Sequence, residues 1–154
     1  LIKRVSMEDV KTLGYMLART LRTFLNQAAI EFKNREIELT FEQYVMLKLI
    51  DSDANIIQQD IANHLKKDKS IVVRQMDSLM EKEYVERVPN ADDKRKKNLI
   101  LTSRGKEMMN KIAELSFEIS RKLLEGVDHE DYKTFVQVLN KIQEKGGSTD
   151  DLFK

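Results

Sequence analysis

A change of hydrophobic periodicity at Glu83 constrains the fold of this chain more than any other feature. Before it, apolar residues recur at helical spacing across residues 68–83; after it, residues 84–88 and 98–102 are typical of two short strands. The stretch between the strands, residues 89–97, is polar and ends in four consecutive cations. A two-stranded ribbon with a basic tip is therefore expected directly after a helix.

A second, shorter helix is predicted over residues 58–65. Residues 66–68 break it, and Asp68 is expected to cap the next helix by accepting hydrogen bonds from its first N–H groups. Two helices joined so closely, with Ala62 small enough for close approach, are typical of a helix-turn-helix. Followed by the ribbon, they predict a winged helix-turn-helix in a mainly α chain with a small β-ribbon.

The composition favours one helix-rich domain spanning residues 1–154. One Pro and five Gly are too few for many turns, and a chain of 154 residues can bury a sizeable core. The absence of Cys excludes disulfides and thiol chemistry, and two distant His argue against a transition-metal site. Without a phosphate loop or a nucleophile motif, we expect neither a cofactor nor catalysis. No apolar run approaches membrane-spanning length, so a cytoplasmic protein without membrane contact is expected.

Charge is unevenly distributed along the chain. Residues 58–106 have a net charge of +4, whereas residues 1–57 balance at 0 and residues 107–154 at −3. A basic middle between neutral and acidic flanks favours a local anionic partner. A solvated face would explain any one of these clusters, but cations at both the helix start and the ribbon tip favour double-stranded DNA.

A winged helix suggests how these cations would meet duplex DNA. Helix 68–83 would lie in the major groove, where Arg74 can pair with guanine and Val73 can touch a thymine methyl. The ribbon tip would reach toward the minor groove, whose negative potential attracts arginine, and its lysines would meet phosphates. The candidate contacts on the helix are Lys69, Ser70, Val73 and Arg74, and those on the tip are Lys94, Arg95, Lys96 and Lys97.

Two long amphipathic segments flank this region. Residues 7–32 carry an apolar stripe at steps of three and four, and residues 108–142 carry another. The helix starts nearby are predicted from capping residues at Thr40, Thr102 and Asp128. An internal core and a surface shared with a second subunit explain the stripes equally well.

The central residues resemble the MarR family of winged-helix transcriptional regulators. The resemblance lies in LTFEQYVMLKLI at residues 39–50, in IANHLKKDKSIVVRQMDSLMEKEYVERV at 61–88 and in DDKRKKNLILTSRG at 92–105. In that family a wing arginine enters the minor groove and a nearby aspartate helps to hold it. The resemblance implies these roles for Arg95 and Asp93.

The chain departs from the family pattern at several positions. Ile57 stands where a capping Thr or Ser is usual, and lysines at 66–67 replace a common glycine-containing turn. Ile71 and Val73 replace hydroxylated positions, which shifts base readout toward apolar contact. Glu83 replaces the glycine that usually ends the recognition helix, so a strained or longer exit from that helix is expected.

The resemblance also implies a homodimer. Residues 1–36 and 107–146 would form its dimerisation helices, residues 39–106 the DNA-binding lobe and residues 147–154 a flexible tail. Two recognition helices would then lie about one helical turn of DNA apart. The candidate dimerisation residues are Val10, Leu13, Leu17, Leu21, Ile119, Leu123, Phe135 and Leu139.

MarR-like proteins often bind small, commonly aromatic, anions between the dimerisation helices and the lobe. Tyr15, Arg19, Phe24 and Tyr44 could line such an effector pocket, with buried packing as the alternative. The sequence thus predicts a homodimeric, sequence-specific regulator, a repressor rather than an activator, that binds a pseudo-palindromic operator. Its affinity would be modulated by a small aromatic or anionic effector. The alternative is a winged-helix protein-interaction scaffold without DNA binding.

Overall fold

The structure, a computed structural model, describes Ser6 and residues 12–147 of the chain. In that part it contains six α-helices and one antiparallel two-stranded sheet. In chain order the elements are α1 (Leu13–Asn34), α2 (Phe41–Ser52), α3 (Gln58–Leu65), α4 (Lys69–Glu81), β1 (Val85–Pro89), β2 (Lys97–Leu101), α5 (Ser103–Leu123) and α6 (His129–Lys145). The predicted fold class, mainly α with a winged helix-turn-helix between helical flanks, is confirmed.

The ribbon lies one residue closer to its tip than predicted. Pairing runs from Val85 opposite Leu101 to Pro89 opposite Lys97. Tyr84, predicted as strand, instead accepts the backbone N–H of Thr102 on its carbonyl at 3.1 Å. That bond closes the base of the ribbon and lets Thr102 begin the next helix.

The winged-helix lobe, residues 37–105, supplies most of the residues of the hydrophobic core. From α4, Val72, Met76 and Leu79 are completely inaccessible to solvent, as their helical spacing predicted. α5 completes the core with Ile112 and Leu115, both about 1% exposed. Because apolar side chains close-pack on the inner side of α4, the face of α4 turned to solvent is fixed.

Three of the four predicted helix caps are confirmed. Thr40 and Gln43 form a reciprocal capping box with both hydrogen bonds at 3.1 Å. Thr102 accepts from the N–H three residues on at 3.0 Å, and Asp128 does the same at 2.9 Å. The cap at Asp68 is wrong: the residue occupies the N-cap position of α4, but its exposed side chain accepts no capping hydrogen bond.

The departures from the family's glycines have a structural cost. Glu83 lies at φ 60° just after α4, and Lys66 lies at φ 50° just after α3. Residues with a Cβ are disfavoured in this left-handed region by roughly 1 kcal/mol. The strained exit expected at Glu83 is therefore confirmed, and Ile57, as expected, makes no side-chain cap at the start of α3.

Gly105 allows the closest backbone approach in the lobe. A Cβ on this residue would lie 2.1 Å from the Tyr84 carbonyl oxygen, far inside contact distance. The first turn of α5 can therefore sit against the base of the ribbon only because this position has no side chain.

The flanking helices differ sharply from the lobe. α1 packs along α5, and just after α1 the Nη2 of Arg35 pairs with Glu118 Oε2 at 2.5 Å. Nevertheless, neither α1 nor α6 contains a buried residue. None of the described helices is long and apolar enough to cross a membrane. Large apolar side chains left exposed on these two helices are Leu13, Tyr15, Met16, Leu21, Ile30, Tyr132, Phe135, Val138 and Ile142.

The candidate dimerisation residues fall into three groups. Leu13, Leu21 and Phe135 are exposed, while Leu17 and Leu139 are half-buried on the same helices. Leu123 packs against the core and Ile119 lies within it at 8% exposure, so the assignment of Ile119 to an intersubunit surface is corrected: this side chain faces the interior of its own chain. Val10 and residues 148–154 lie outside the described residues.

Candidate nucleic-acid interface

The outer face of α4 presents the predicted helix contacts together. Lys69, Ser70 and Arg74 are exposed and Val73 is half-buried beside them. Arg74 makes no ion pair or side-chain hydrogen bond within the described part of the chain. Its guanidinium is therefore not engaged by the protein and remains available to a ligand.

The start of α4 adds a second positive feature. Because Asp68 does not cap it, the first N–H groups of α4 are not occupied by that carboxylate. A helix N-terminus carries a partial positive charge of about half a unit, which favours anions. Lys69 stands in this first turn, so the end of α4 that would enter a groove is its most electropositive end.

The ribbon tip holds Arg95 through its backbone N–H and its Nε. Asp93 Oδ1 accepts from the Arg95 backbone N–H at 3.0 Å and from Nε at 3.3 Å. The Arg95 side chain is nevertheless 93% exposed. The pairing implied for Asp93 and Arg95 is therefore present, and it leaves both terminal nitrogens of the guanidinium turned to solvent. Lys94, Lys96 and Lys97 are exposed beside it.

Arg87 ties the ribbon to the helix-turn-helix, which sequence reasoning missed. From β1 its Nη2 donates to Gln58 Oε1 of α3 at 2.9 Å and lies 3.6 Å from Asp77 Oδ1 of α4. One side chain on β1 thus contacts both helices of the helix-turn-helix. Nothing in the sequence marks Arg87, because its partners lie ten and 29 positions away.

A crevice of about 510 Å³ lies between α1, α2 and α5. Phe24 and Tyr44 line it as predicted for an effector pocket, but Arg19 lines a separate hollow and Tyr15, at 70% exposure, lines neither. The lining has three hydroxyl-bearing residues besides Tyr44 and no charged residue. Burial raises the pKa of the Tyr44 phenol, which therefore stays a neutral hydrogen-bond donor.

The fold is that of winged-helix proteins, and comparison with known proteins points to one family of them. The family model for the MarR family matches residues 39–97, from the residue before the α2 cap to the start of β2. The resemblance to the MarR family is thereby confirmed, and this family consists of regulators rather than enzymes.

Relatives of similar length share the arrangement beyond the matched segment. YybA, an uncharacterized HTH-type transcriptional regulator of Bacillus subtilis (strain 168), is 29% identical over 140 residues, covering 89% of this chain and 88% of that protein. The transcriptional regulator SlyA has 27% identity and a TM-score of 0.65 over 89% of this chain and 93% of its own. The reduced form of MarR from E. coli has 21% identity and a TM-score of 0.72 over 91% and 98%.

Proposed function

We propose that this protein is a sequence-specific, double-stranded DNA-binding transcriptional regulator that acts as a homodimeric repressor. The observation that carries the proposal is a pair of exposed arginines on two elements. Arg74 on α4 has no partner within the described residues, and Arg95 on the ribbon tip is 93% exposed although Asp93 contacts its Nε. Arg87 links α4 to the ribbon that carries Arg95. Exposed cations on two linked elements match a groove-reading helix and a backbone-following wing.

The two elements would divide the work of recognition. α4 in the major groove would bring Arg74 to a guanine edge and Val73 to a thymine methyl, while Lys69 and Ser70 meet the adjacent backbone or bases. Arg95 would enter the minor groove, and Lys94, Lys96 and Lys97 would neutralise phosphates. Ile71 and Val73 are both half-buried, so each keeps exposed apolar surface for such readout.

Homodimerisation is supported by the exposed stripes on α1 and α6. Burying Phe135, Val138 and Ile142 against a second copy would recover roughly 25 cal/mol for each Å² removed from water. A two-fold dimer presents two copies of α4, which implies a pseudo-palindromic operator with half-sites about one helical turn apart.

Binding assays on a duplex retained from a random pool test the DNA contacts. Arg74→Ala should cost about 1–3 kcal/mol of binding free energy and relax the preference at one base position. Arg95→Ala should weaken binding with the dimer intact, and Lys96→Ala should lower the salt slope by about 1. Lys133→Ala on α6 is the matched control, because it removes an exposed cation far from both elements.

Two outcomes would contradict the proposed mode of DNA binding. Wild-type protein that binds no duplex at low salt would favour a protein-interaction scaffold. Equal losses of binding free energy in Lys133→Ala and Arg95→Ala would indicate that the protein binds DNA through non-specific charge alone.

Repression would follow from occlusion, since a dimer covering a promoter excludes polymerase without needing a further surface. Transcription in vitro from a promoter that contains the selected site should fall as the protein is added. A rise in transcript would indicate activation instead.

An effector would occupy the crevice between α1, α2 and α5. Its uncharged lining favours a neutral aromatic compound over an anion, because an unpaired carboxylate in an apolar site pays a large desolvation cost. Such a ligand can regulate only if it binds the DNA-free and DNA-bound conformations with different affinity.

A matched ligand pair tests the preference. 2-Naphthol should raise the melting temperature more than 2-naphthoate at equal concentration, and Ala29→Trp, which fills the crevice, should abolish the rise. Arg19→Ala serves as the control and should leave it unchanged. Tighter binding of 2-naphthoate than of 2-naphthol would indicate that the ligand binds in the neighbouring hollow. Loss of the rise in melting temperature in Arg19→Ala would indicate the same.

A further inference from the structure

Asn98 is a buried amide near the tip end of the ribbon, opposite Val88. It lies on β2 at 6% exposure, and Gln43 is the only other buried polar side chain in the described residues. Gln43 is accounted for by the α2 capping box. Asn98 has no such local role, and a buried polar group costs about 1–3 kcal/mol when its hydrogen bonds are not made.

The Asn98 amide is satisfied from two directions. On one side, Nδ2 lies 3.5 Å from both the Ala54 carbonyl oxygen and Asn55 Oδ1, in the exposed turn between α2 and α3. Toward the tip, Oδ1 accepts from Asn90 Nδ2 at 3.0 Å. A side chain on β2 thus joins the α2–α3 turn to the first residue of the tip loop, residues 90–96.

Asn90 passes this constraint into the tip loop. Its Oδ1 accepts from the backbone N–H groups of Asp92 and Asp93, both at 2.9 Å, and its own N–H donates to the Lys96 carbonyl at 3.1 Å. Asp93 in turn holds Arg95 through Oδ1. The hydrogen bonds therefore run without a gap from the α2–α3 turn through Asn98, Asn90 and Asp93 to Arg95.

Such a relay is what a polar loop needs to stay in one conformation. The last strand pair of the ribbon is Pro89 opposite Lys97, and one further backbone hydrogen bond joins Asn90 to Lys96. No residue of the tip loop is buried. Loops of this composition are ordered by side-chain bonds to backbone groups rather than by apolar packing. Besides backbone bonds at its base and within its turn, the tip loop is hydrogen-bonded to one buried side chain of the described residues, Asn98.

We propose that Asn98 is a positioning residue for the wing: through Asn90 and Asp93 it fixes where Arg95 is presented. An apolar residue would suit the buried position for stability alone, so the amide serves orientation. The consequence for DNA rests on the proposed function, whereas the ordering of the tip loop does not.

Limited trypsin digestion measures the ordering directly, because the tip contains four cleavable residues, Lys94 to Lys97. Asn98→Leu, with the same branching and number of side-chain heavy atoms, should raise the rate of cleavage at the tip about tenfold while leaving the urea midpoint undiminished. Asn90→Ala, at a half-buried loop position that cannot unfold the core, should do the same. Ile100→Leu on the same strand is the matched control and should leave the rate unchanged.

Affinity for duplex DNA separates positioning from general damage. Asn98→Leu should weaken binding about as much as Arg95→Ala does, and combining the two changes should add little further loss. Unchanged tip cleavage in both Asn98→Leu and Asn90→Ala would overturn the relay. Fully additive losses would overturn its link to Arg95. Absence of all wild-type DNA binding would instead refute the proposed function, and the cleavage result would still decide the relay.

Discussion

The winged-helix lobe buries its apolar side chains within the chain, whereas the flanking helices α1 and α6 leave many of theirs exposed. In the lobe, the inward residues of α4 are completely buried and the polar groups in the core are paired. On α1 and α6 no residue is buried, although both helices carry continuous apolar stripes. The lobe is therefore close to complete within one chain, whereas the flanks expose surface that a second chain would cover.

This difference assigns distinct consequences to mutations in the two regions. Substitutions in the lobe should act on the stability of the single chain, because its packing has no room to adjust. Substitutions on the flanks should act on association and leave the lobe folded.

The largest effect is expected at the closest contact in the lobe. Gly105→Ala would place a methyl 2.1 Å from the Tyr84 carbonyl oxygen and should cost about 3 kcal/mol or more, measured by urea unfolding. Gly14→Ala on α1, where nothing lies within 4 Å, is the matched control and should be neutral or stabilising by up to about 1 kcal/mol. Similar changes in the free energy of unfolding in the two variants would contradict the proposed difference between the lobe and the flanking helices.

The next effect concerns the flanks. Phe135→Asp puts a charge into the exposed stripe of α6 and should weaken dimerisation about 100-fold or more, measured by sedimentation velocity, because an unpaired charge resists burial. Gln137→Asp, on the opposite side of the helix, should leave the dimer intact. A Phe135→Asp protein that stays dimeric would show that α6 does not contact the partner.

A smaller effect of opposite sign is expected at the end of α4. Glu83→Gly removes the φ 60° strain and should stabilise the lobe by about 1 kcal/mol, since the lost contact to Arg104 is an exposed ion pair. Glu107→Gly, at an exposed interior position of α5, should destabilise by a similar amount. The urea midpoints of the two variants separate the relief of strain at position 83 from the general destabilisation that glycine causes in a helix. A lower midpoint in both variants would contradict the strain at Glu83.

The smallest effect lies at Tyr44, where lobe and flank meet. Burial raises its pKa above the ordinary value of 10.0, so the folded chain keeps the phenol protonated longer than the unfolded chain does. The stability from this burial is complete below about pH 10 and is lost as the pH rises through the folded pKa. Between about pH 9 and 11, Tyr44→Phe should therefore lose less stability than wild type, and parallel losses would contradict the burial.

Sequence periodicity predicted the lobe to within one or two residues at its helix and strand boundaries. It succeeded because the spacing of Val72, Met76 and Leu79 and the Thr40–Gln43 capping box are local signals. The contacts of Arg87 and Asn98 could not be predicted, because they join residues that only the fold brings together. The four predicted pocket residues do not share one pocket for the same reason: periodicity does not show which side of α1 lines the crevice. Phe24 lines both the crevice and the neighbouring hollow, whereas Arg19 lines the hollow alone.

The central claim is that one dimer reads duplex DNA with two copies of α4 and its wing. Selection of bound fragments from random duplex DNA, with purified wild-type protein, tests it most directly. The account predicts enrichment of a pseudo-palindrome with half-sites about one helical turn apart, flanked by narrow minor-groove tracts that lose their enrichment in Arg95→Ala. Enrichment of no sequence, or of a single asymmetric site unaffected by Arg95→Ala, would contradict it.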